Sequence, residues 1–117
     1  MNNEILRIDT TERLSMVTVF NGVAHVAGIA SHDHDNIEDQ TRAVLSKIDE
    51  LLEKSGTDKS KLLTAQILMR EVDRDFHGMN NEWLKWVIPH QGPARATYQV
   101  KLPGDKILVE ILVTAAI

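Results

Sequence analysis

The last segment of the chain, KILVEILVTAAI (106–117), constrains the fold more than any other. Side chains alternate along a strand, so this segment has two faces. One face carries Ile107, Val109, Ile111 and Val113, and the other carries Leu108, Glu110, Leu112, Thr114 and Ala116. Because both faces are mostly apolar, the strand is expected to be buried on both sides. Two helices cover only one face of such a sheet, so another subunit is expected to cover the second face, which predicts an obligate homo-oligomer.

Turn and breaker signals divide the rest of the chain into strands and two helices. The predicted elements are a strand at 4–9, a hairpin over 15–28 with Asn21-Gly22 as its turn, a helix from 37 to a stop at Gly56, a strand at 61–70, a helix at 75–89, and strands at 94–102 and 107–115. Asp35, with Glu38 in a capping box, or Asn36 is expected to cap the first helix. The order β-β-β-α-β-α-β-β predicts an α+β fold, a mixed sheet with two helices on one face.

Composition excludes several classes of protein. The 117 residues fit one domain, 1–117, and contain no cysteine, so neither disulfides nor thiolate chemistry is available. No run of about 18 apolar residues predicts a membrane span, and the start MNNEILRID does not resemble a signal peptide, so a cytoplasmic protein is expected. The net charge of −4, without a basic cluster, argues against a nucleic-acid groove.

Arg95 and Glu110 are the two charged residues that the strand pattern makes unusual. Arg95 begins a polar row in GPARATYQV (92–100), and Glu110 interrupts the apolar final strand. A hairpin around 103–106 would pair Leu102 with Ile107, Gln99 with Glu110 and Arg95 with Thr114. Arg95 and Glu110 would then share a face, roughly 13 Å apart. They are expected either to flank one ligand or to meet across a subunit boundary, and a structural salt bridge remains the alternative for Glu110.

The polar loop SHDHD (31–35) has the residue types of a metal site but not the arrangement of one. His32 and His34 are spaced to point the same way on an extended segment. No third ligand is positioned by the sequence, so we interpret the segment as a loop with a helix cap and predict no metal site. Trp83 and Trp86 are interpreted as core and interface residues.

An ordered set of motifs resembles the RidA/YjgF family of reactive-intermediate deaminases. Pro93 and Arg95 match the family's Pro-x-Arg strand start, Leu102-Pro103 its Leu-Pro turn, and Glu110 the glutamate of its last strand. DFHGMNNEW (75–83) is similar to the family's helix start, with Asp75, Phe76 and Asn80 in the matching positions. The resemblance covers nearly the whole chain and is greatest for a YoaB-like branch, through the RID start and the paired tryptophans.

The resemblance implies a chorismate-mutase-like fold and a homotrimer around a central barrel, with sites between subunits. It also implies hydrolysis of enamine or imine intermediates such as 2-aminoacrylate, which pyridoxal-phosphate enzymes release, to a 2-keto acid and ammonia without a cofactor. Arg95 would bind the substrate carboxylate, and Glu110 would position a water or transfer its proton. The residues expected to contact substrate are Arg95, Gly28, Ile29, Ala30, Leu14, Thr97 and Asn80.

Three positions depart from the family pattern. Leu14 stands where the best-studied members have a loop tyrosine, Thr97 where they have a small thiol, and IASHDHD follows Gly28 instead of Gln-x-Pro. These departures keep open a second hypothesis, a non-enzymatic binder of small carboxylates in the same clefts. A third, an RNA-directed role proposed for some family members, is disfavoured by the acidic balance.

Overall fold

The final strand lies at the centre of the sheet. The computed structural model describes residues 4–117, so the first three residues of the predicted 1–117 domain lie outside it. The elements are β1 Leu6–Thr10, β2 Ser15–Phe20, β3 Val23–Val26, β4 Ile29–Ala30, α1 Ile37–Lys54, β5 Leu62–Met69, α2 Val72–Trp86, β6 Ala94–Gln99 and β7 Val109–Ala116, with a 3₁₀ turn at Lys59–Lys61. The sheet order is β1-β2-β3-β7-β5-β6, and β4 also pairs with β7.

The predicted α+β architecture is confirmed, with a mixed sheet and both helices on one face. Only the β5–β6 pair is parallel among the strand pairs of residues 4–117. The core lies between the sheet and the helices, where the fully buried side chains include Ile48, Leu51, Ile67, Met79 and Ile111. The opposite face of the sheet, called here the open face, has no helix over it among the described residues and is half-buried along β7. Within residues 4–117 no helix is long and apolar enough to cross a membrane.

The predicted hairpin between the last two strands is wrong. β6 pairs with β5 in parallel, through the α2 crossover, and β7 runs antiparallel to β5 and β3. The connection at residues 100–108 is held instead by the Arg70 side chain, which donates hydrogen bonds of 2.7–3.1 Å to the carbonyls of Ile107, Leu102 and Gly104. A strand that is apolar on both faces gains most from a central position, and this non-local burial overrides the local turn signal.

The turn and cap predictions are confirmed in part. Asn21 and Gly22 both have positive φ and join Phe20 to Val23, as a two-residue hairpin requires. Asn36, the second of the two predicted caps, accepts a 2.8 Å hydrogen bond from the Asp39 amide, so the Asp35–Glu38 capping box is wrong. The second helix begins at Val72 and ends at Trp86, before Pro89.

A buried carboxylate joins the two helices. Glu82 on α2 is 5% exposed and accepts hydrogen bonds from Arg42 Nε at 3.0 Å and from Lys85 Nζ at 3.3 Å. Burial raises the pKa of Glu82, but the hydrogen bonds and charges of Arg42 and Lys85 outweigh this effect and hold the pKa below its ordinary value. The group therefore stabilises the contact between α1 and α2 as a carboxylate.

Candidate functional site

A bulge between β3 and β4 opens a cleft at one end of the sheet. His25 pairs with Thr114 and Ile29 with Ile111, so three residues of one strand face two of the other. The cleft has a volume of about 810 Å³. It is lined by Arg13, Leu14, Met16, Ala27, Gly28, Ile29, Ala30, His32, Lys47, Pro103, Ile107 and Glu110. Five residues predicted for the site, Leu14, Gly28, Ile29, Ala30 and Glu110, therefore lie together.

Glu110 lies directly against the backbone of Gly28. A Cβ atom built on Gly28 would be 2.5 Å from Oε2 of Glu110, closer than real Cβ contacts come, and 3.0 Å from its Cδ. Ala30 is the strand partner of Glu110, which leaves that side of the carboxylate without a bulky neighbour. The small residues at 28 and 30 therefore allow the carboxylate to lie along the cleft wall.

Arg95 belongs to a second group of residues, on β6 and α2. Its Nη1 donates a 2.8 Å hydrogen bond to Oδ1 of Asn80. Its guanidinium carbon lies 5.4 Å from the ring centroid of Trp83 and 6.0 Å from that of Phe76, within cation–π range. Burial lowers the pKa of Arg95, and none of the ion pairs within residues 4–117 involves it. The side chain is therefore aimed and partly desolvated without a carboxylate partner.

Thr97 lies two residues beyond Arg95 and on the same face of β6. Its hydroxyl oxygen is buried and is the one buried side-chain polar atom of residues 4–117 without a hydrogen-bond partner. A buried hydroxyl without a partner is costly. The predicted site residues Arg95, Thr97 and Asn80 are thus one group, separate from the cleft around Glu110.

The two groups lie on opposite faces of the sheet, so the prediction that Arg95 and Glu110 share a face is wrong. Arg95 aligns through Ala65 with Val113 on the helix-covered face. Glu110 aligns with Leu68 on the open face. Counting two strand spacings and three residues, their backbones are about 14 Å apart in one chain. The predicted hairpin paired β6 directly with β7, whereas in the structure β5 lies between them and pairs with both.

Sequence reasoning missed several residues of the cleft. Arg13 enters it from the turn before β2 and Met16 from β2 itself. Lys47 enters from α1 and Ile107 from the connection to β7. The sequence pattern indicated His32 only as a residue type found in metal sites. Residues 4–117 contain no group of three or more acidic, histidine or cysteine side chains placed to hold a metal ion. The bulge that gathers these residues depends on one extra residue in a strand, which no local pattern signals.

Comparisons with known proteins agree with the fold and the site motifs. The profile of the family described as Endoribonuclease L-PSP matches residues 4–117. A RutC family protein from Haemophilus ducreyi is 41% identical over 114 residues, covering 97% of each chain. The RutC family protein YoaB from Escherichia coli is 36% identical over 113 residues, covering 97% of this chain and 98% of YoaB. The chain therefore belongs to this family, the YjgF/Rid family, as its motifs predicted.

Solved structures give the same result. A member of the YjgF protein family from Neisseria meningitidis superposes with a TM-score of 0.94 at 33% identity, covering 97% of this chain and 95% of that one. One more distant relative carries the deaminase name: Reactive Intermediate Deaminase A of Arabidopsis thaliana is 38% identical over 82 residues, covering 68% of this chain and 43% of its own length.

Proposed function

We propose that the protein hydrolyses small imines and enamines that carry a carboxylate, such as 2-aminoacrylate, to 2-keto acids and ammonia. The observation that carries the proposal is the Arg95 guanidinium, aimed by Asn80 over two aromatic rings and without an acidic partner within residues 4–117. A planar guanidinium in this state is suited to bind a carboxylate through two parallel hydrogen bonds. The deaminase name of the Arabidopsis relative supports the same reaction.

Arg95 and Glu110 have separate roles in this reaction. Arg95 holds the substrate carboxylate, which fixes the adjacent C=N carbon of the imine. An enamine such as 2-aminoacrylate first takes a proton from water at its CH2 carbon and releases one from nitrogen, which gives the imine. The carboxylate of Glu110 accepts a proton from a water as the oxygen attacks that carbon. The carbinolamine that forms then loses ammonia to give the keto acid. No metal or organic cofactor takes part in the proposed chemistry.

The complete site lies between two copies of the chain in a homotrimer. Arg95 and Glu110 occupy opposite faces of one sheet, so a small substrate reaches both only when they come from different chains. The open face supports such an assembly, since Leu68 and Leu112 lie on it and Phe20 and Tyr98 are exposed. Packing of these faces around a central barrel buries the apolar side of β7, as its sequence demands.

A second candidate function, binding of small carboxylates without turnover, is favoured by Leu14. This side chain is 44% exposed at the cleft and has no hydroxyl to hydrogen-bond a substrate. The residues that bind the carboxylate would be unchanged, so the two functions differ only in ammonia release. The RNA-directed function in the family's description is not proposed, because the net charge is −4 and the cleft of Glu110 is mostly apolar.

The test is ammonia release from 2-aminoacrylate generated in the assay by a pyridoxal-phosphate dehydratase. We expect release above the spontaneous rate with the native protein and none above it with Arg95→Ala, with Arg95→Lys between them because it keeps the charge and loses the planar fork. The same samples are titrated with a stable 2-keto acid. Ligand binding without ammonia release from any imine tried would establish the second candidate instead.

A further inference from the structure

His32 is a residue of the cleft that the proposed reaction does not yet use. It lies two residues after Ala30, the strand partner of Glu110. His32 itself lies in the bend that follows β4, is exposed to solvent and lines the same cleft as Glu110.

The imidazole of His32 is free of partners among the residues that the structure describes. Within residues 4–117 it forms no hydrogen bond or ion pair, whereas Nδ1 of His34, in the same loop, lies 2.9 Å from the Ser31 hydroxyl. The other titratable side chains that face the cleft are Arg13 from the turn before β2, Lys47 from α1 and Glu110 from β7. Among these, histidine is the residue type whose proton is exchanged most readily near neutral pH.

Imine hydrolysis requires more proton transfers than one carboxylate performs at once. As water attacks the C=N carbon, one water proton goes to Glu110 and the imine nitrogen takes another proton, giving a carbinolamine. The nitrogen then takes the proton that Glu110 received from water, and the C–N bond breaks. The hydroxyl proton leaves as the ketone forms. A second group that donates first and accepts last balances these steps.

We infer that His32 is that second group, a general acid and base that works opposite Glu110. Protonated His32 donates to the imine nitrogen as water attacks, and neutral His32 accepts the hydroxyl proton as ammonia leaves, so both residues return to their starting states. The inference rests on the proposed function and names a further catalytic residue for it. It also gives a role to the IASHDHD segment that replaces the family's Gln-x-Pro.

The experiment compares His32→Gln with His34→Gln, a histidine of the same loop that does not line the cleft. We expect kcat for 2-aminoacrylate hydrolysis to fall by about a hundredfold in His32→Gln, with the pH–rate profile flattened, and to stay native in His34→Gln. His32→Ala is tested with added imidazole, which is expected to restore part of the rate. Circular dichroism and gel filtration check that each variant folds and assembles.

The outcomes separate this inference from the proposed function. Native kcat in His32→Gln, or equal losses in both histidine variants without rescue by imidazole, overturns the role of His32 and leaves the proposed function standing. A native protein that releases no ammonia from any imine overturns both. Loss in His32→Gln alone, with rescue of His32→Ala, establishes the histidine as a proton-transfer group.

Discussion

Arg95 and Glu110 point to opposite faces of one sheet, although they lie on strands that are both paired with β5. Arg95 is on the helix-covered side with Asn80 and Trp83, and Glu110 is on the open side against Gly28. A three-carbon substrate is much shorter than the roughly 14 Å of backbone separation. The proposed reaction therefore needs Arg95 from one chain and Glu110 from another.

Gly28 is predicted to matter for the position of Glu110 rather than for folding. A Cβ at this position would collide with the end of a flexible side chain, 2.5 Å from Oε2, so the carboxylate shifts and the backbone does not. Gly28→Ala is expected to keep the native melting temperature and to lower kcat by about tenfold or more. Gly92→Ala is the matched control, since its Cβ would meet only Val87 at 3.6 Å. Equal kcat in the two variants would contradict this account.

Asn80 is predicted to act through Arg95. Its Oδ1 accepts the 2.8 Å hydrogen bond from the Arg95 guanidinium. Asn80→Ala therefore keeps the positive charge of Arg95 but removes the hydrogen bond that orients it. We expect KM for 2-aminoacrylate to rise by about tenfold, with a smaller change in kcat. The neighbouring Asn81 is exposed on the same helix, and Asn81→Ala serves as the control in steady-state ammonia assays. A change in kcat with an unchanged KM would assign Asn80 a different role.

We predict that the Thr97 hydroxyl lowers the stability of the protein and contacts the substrate. Because its buried hydroxyl has no partner within residues 4–117, Thr97→Val is expected to hold or raise the free energy of unfolding, by up to about 1 kcal/mol. The same variant is expected to raise KM about threefold, since the hydroxyl is then unavailable to substrate. Denaturant unfolding and kinetics are measured on one preparation. A loss of stability would mean that the hydroxyl is already satisfied in the assembly.

The Glu82 contact between α1 and α2 predicts a specific pH dependence of stability. Its pKa is held below the ordinary 4.5, so the stabilisation is complete above that pH and is lost as pH falls through the lower folded-state value. The free energy of unfolding of Glu82→Gln is expected to be about 1 kcal/mol lower than that of the native protein at pH 7. This deficit is expected to shrink as the pH falls below 4.5. Glu53→Gln is the control, because Glu53 is exposed. The free energies of unfolding of all variants are compared at one fixed protein concentration. A deficit that does not change with pH would exclude the carboxylate as its cause.

Sequence patterns predicted the features of the fold that depend on near neighbours. Alternation identified β7 as a strand that is apolar on both faces, and Asn21-Gly22 identified a hairpin turn, because each signal resides in adjacent residues. The pairing of β6 with β5 depends on how the α2 crossover returns the chain. A Pro-Gly turn at 103–104 carries no information on that choice.

The same distinction applies to the site. Strand alternation correctly placed Arg95 and Thr97 on one face of β6, and the family resemblance selected them. Their relation to Glu110 was wrong, because the face of one strand relative to another follows from the register with β5. The bulge at 26–28, which forms the cleft, comes from one extra residue, and the contacts of His32 and Lys47 with that cleft depend on it.

The most direct test of the central claim mixes two inactive chains. Arg95→Ala and Glu110→Gln are co-expressed with different tags, and assemblies that contain both are purified and assayed for 2-aminoacrylate hydrolysis. If a site takes Arg95 from one chain and Glu110 from the next, every trimer that contains both variants has one restored site of three, and about one third of native activity is expected. If both residues of a site come from one chain, no site is restored, and activity that stays at the level of the separate variants would contradict the account.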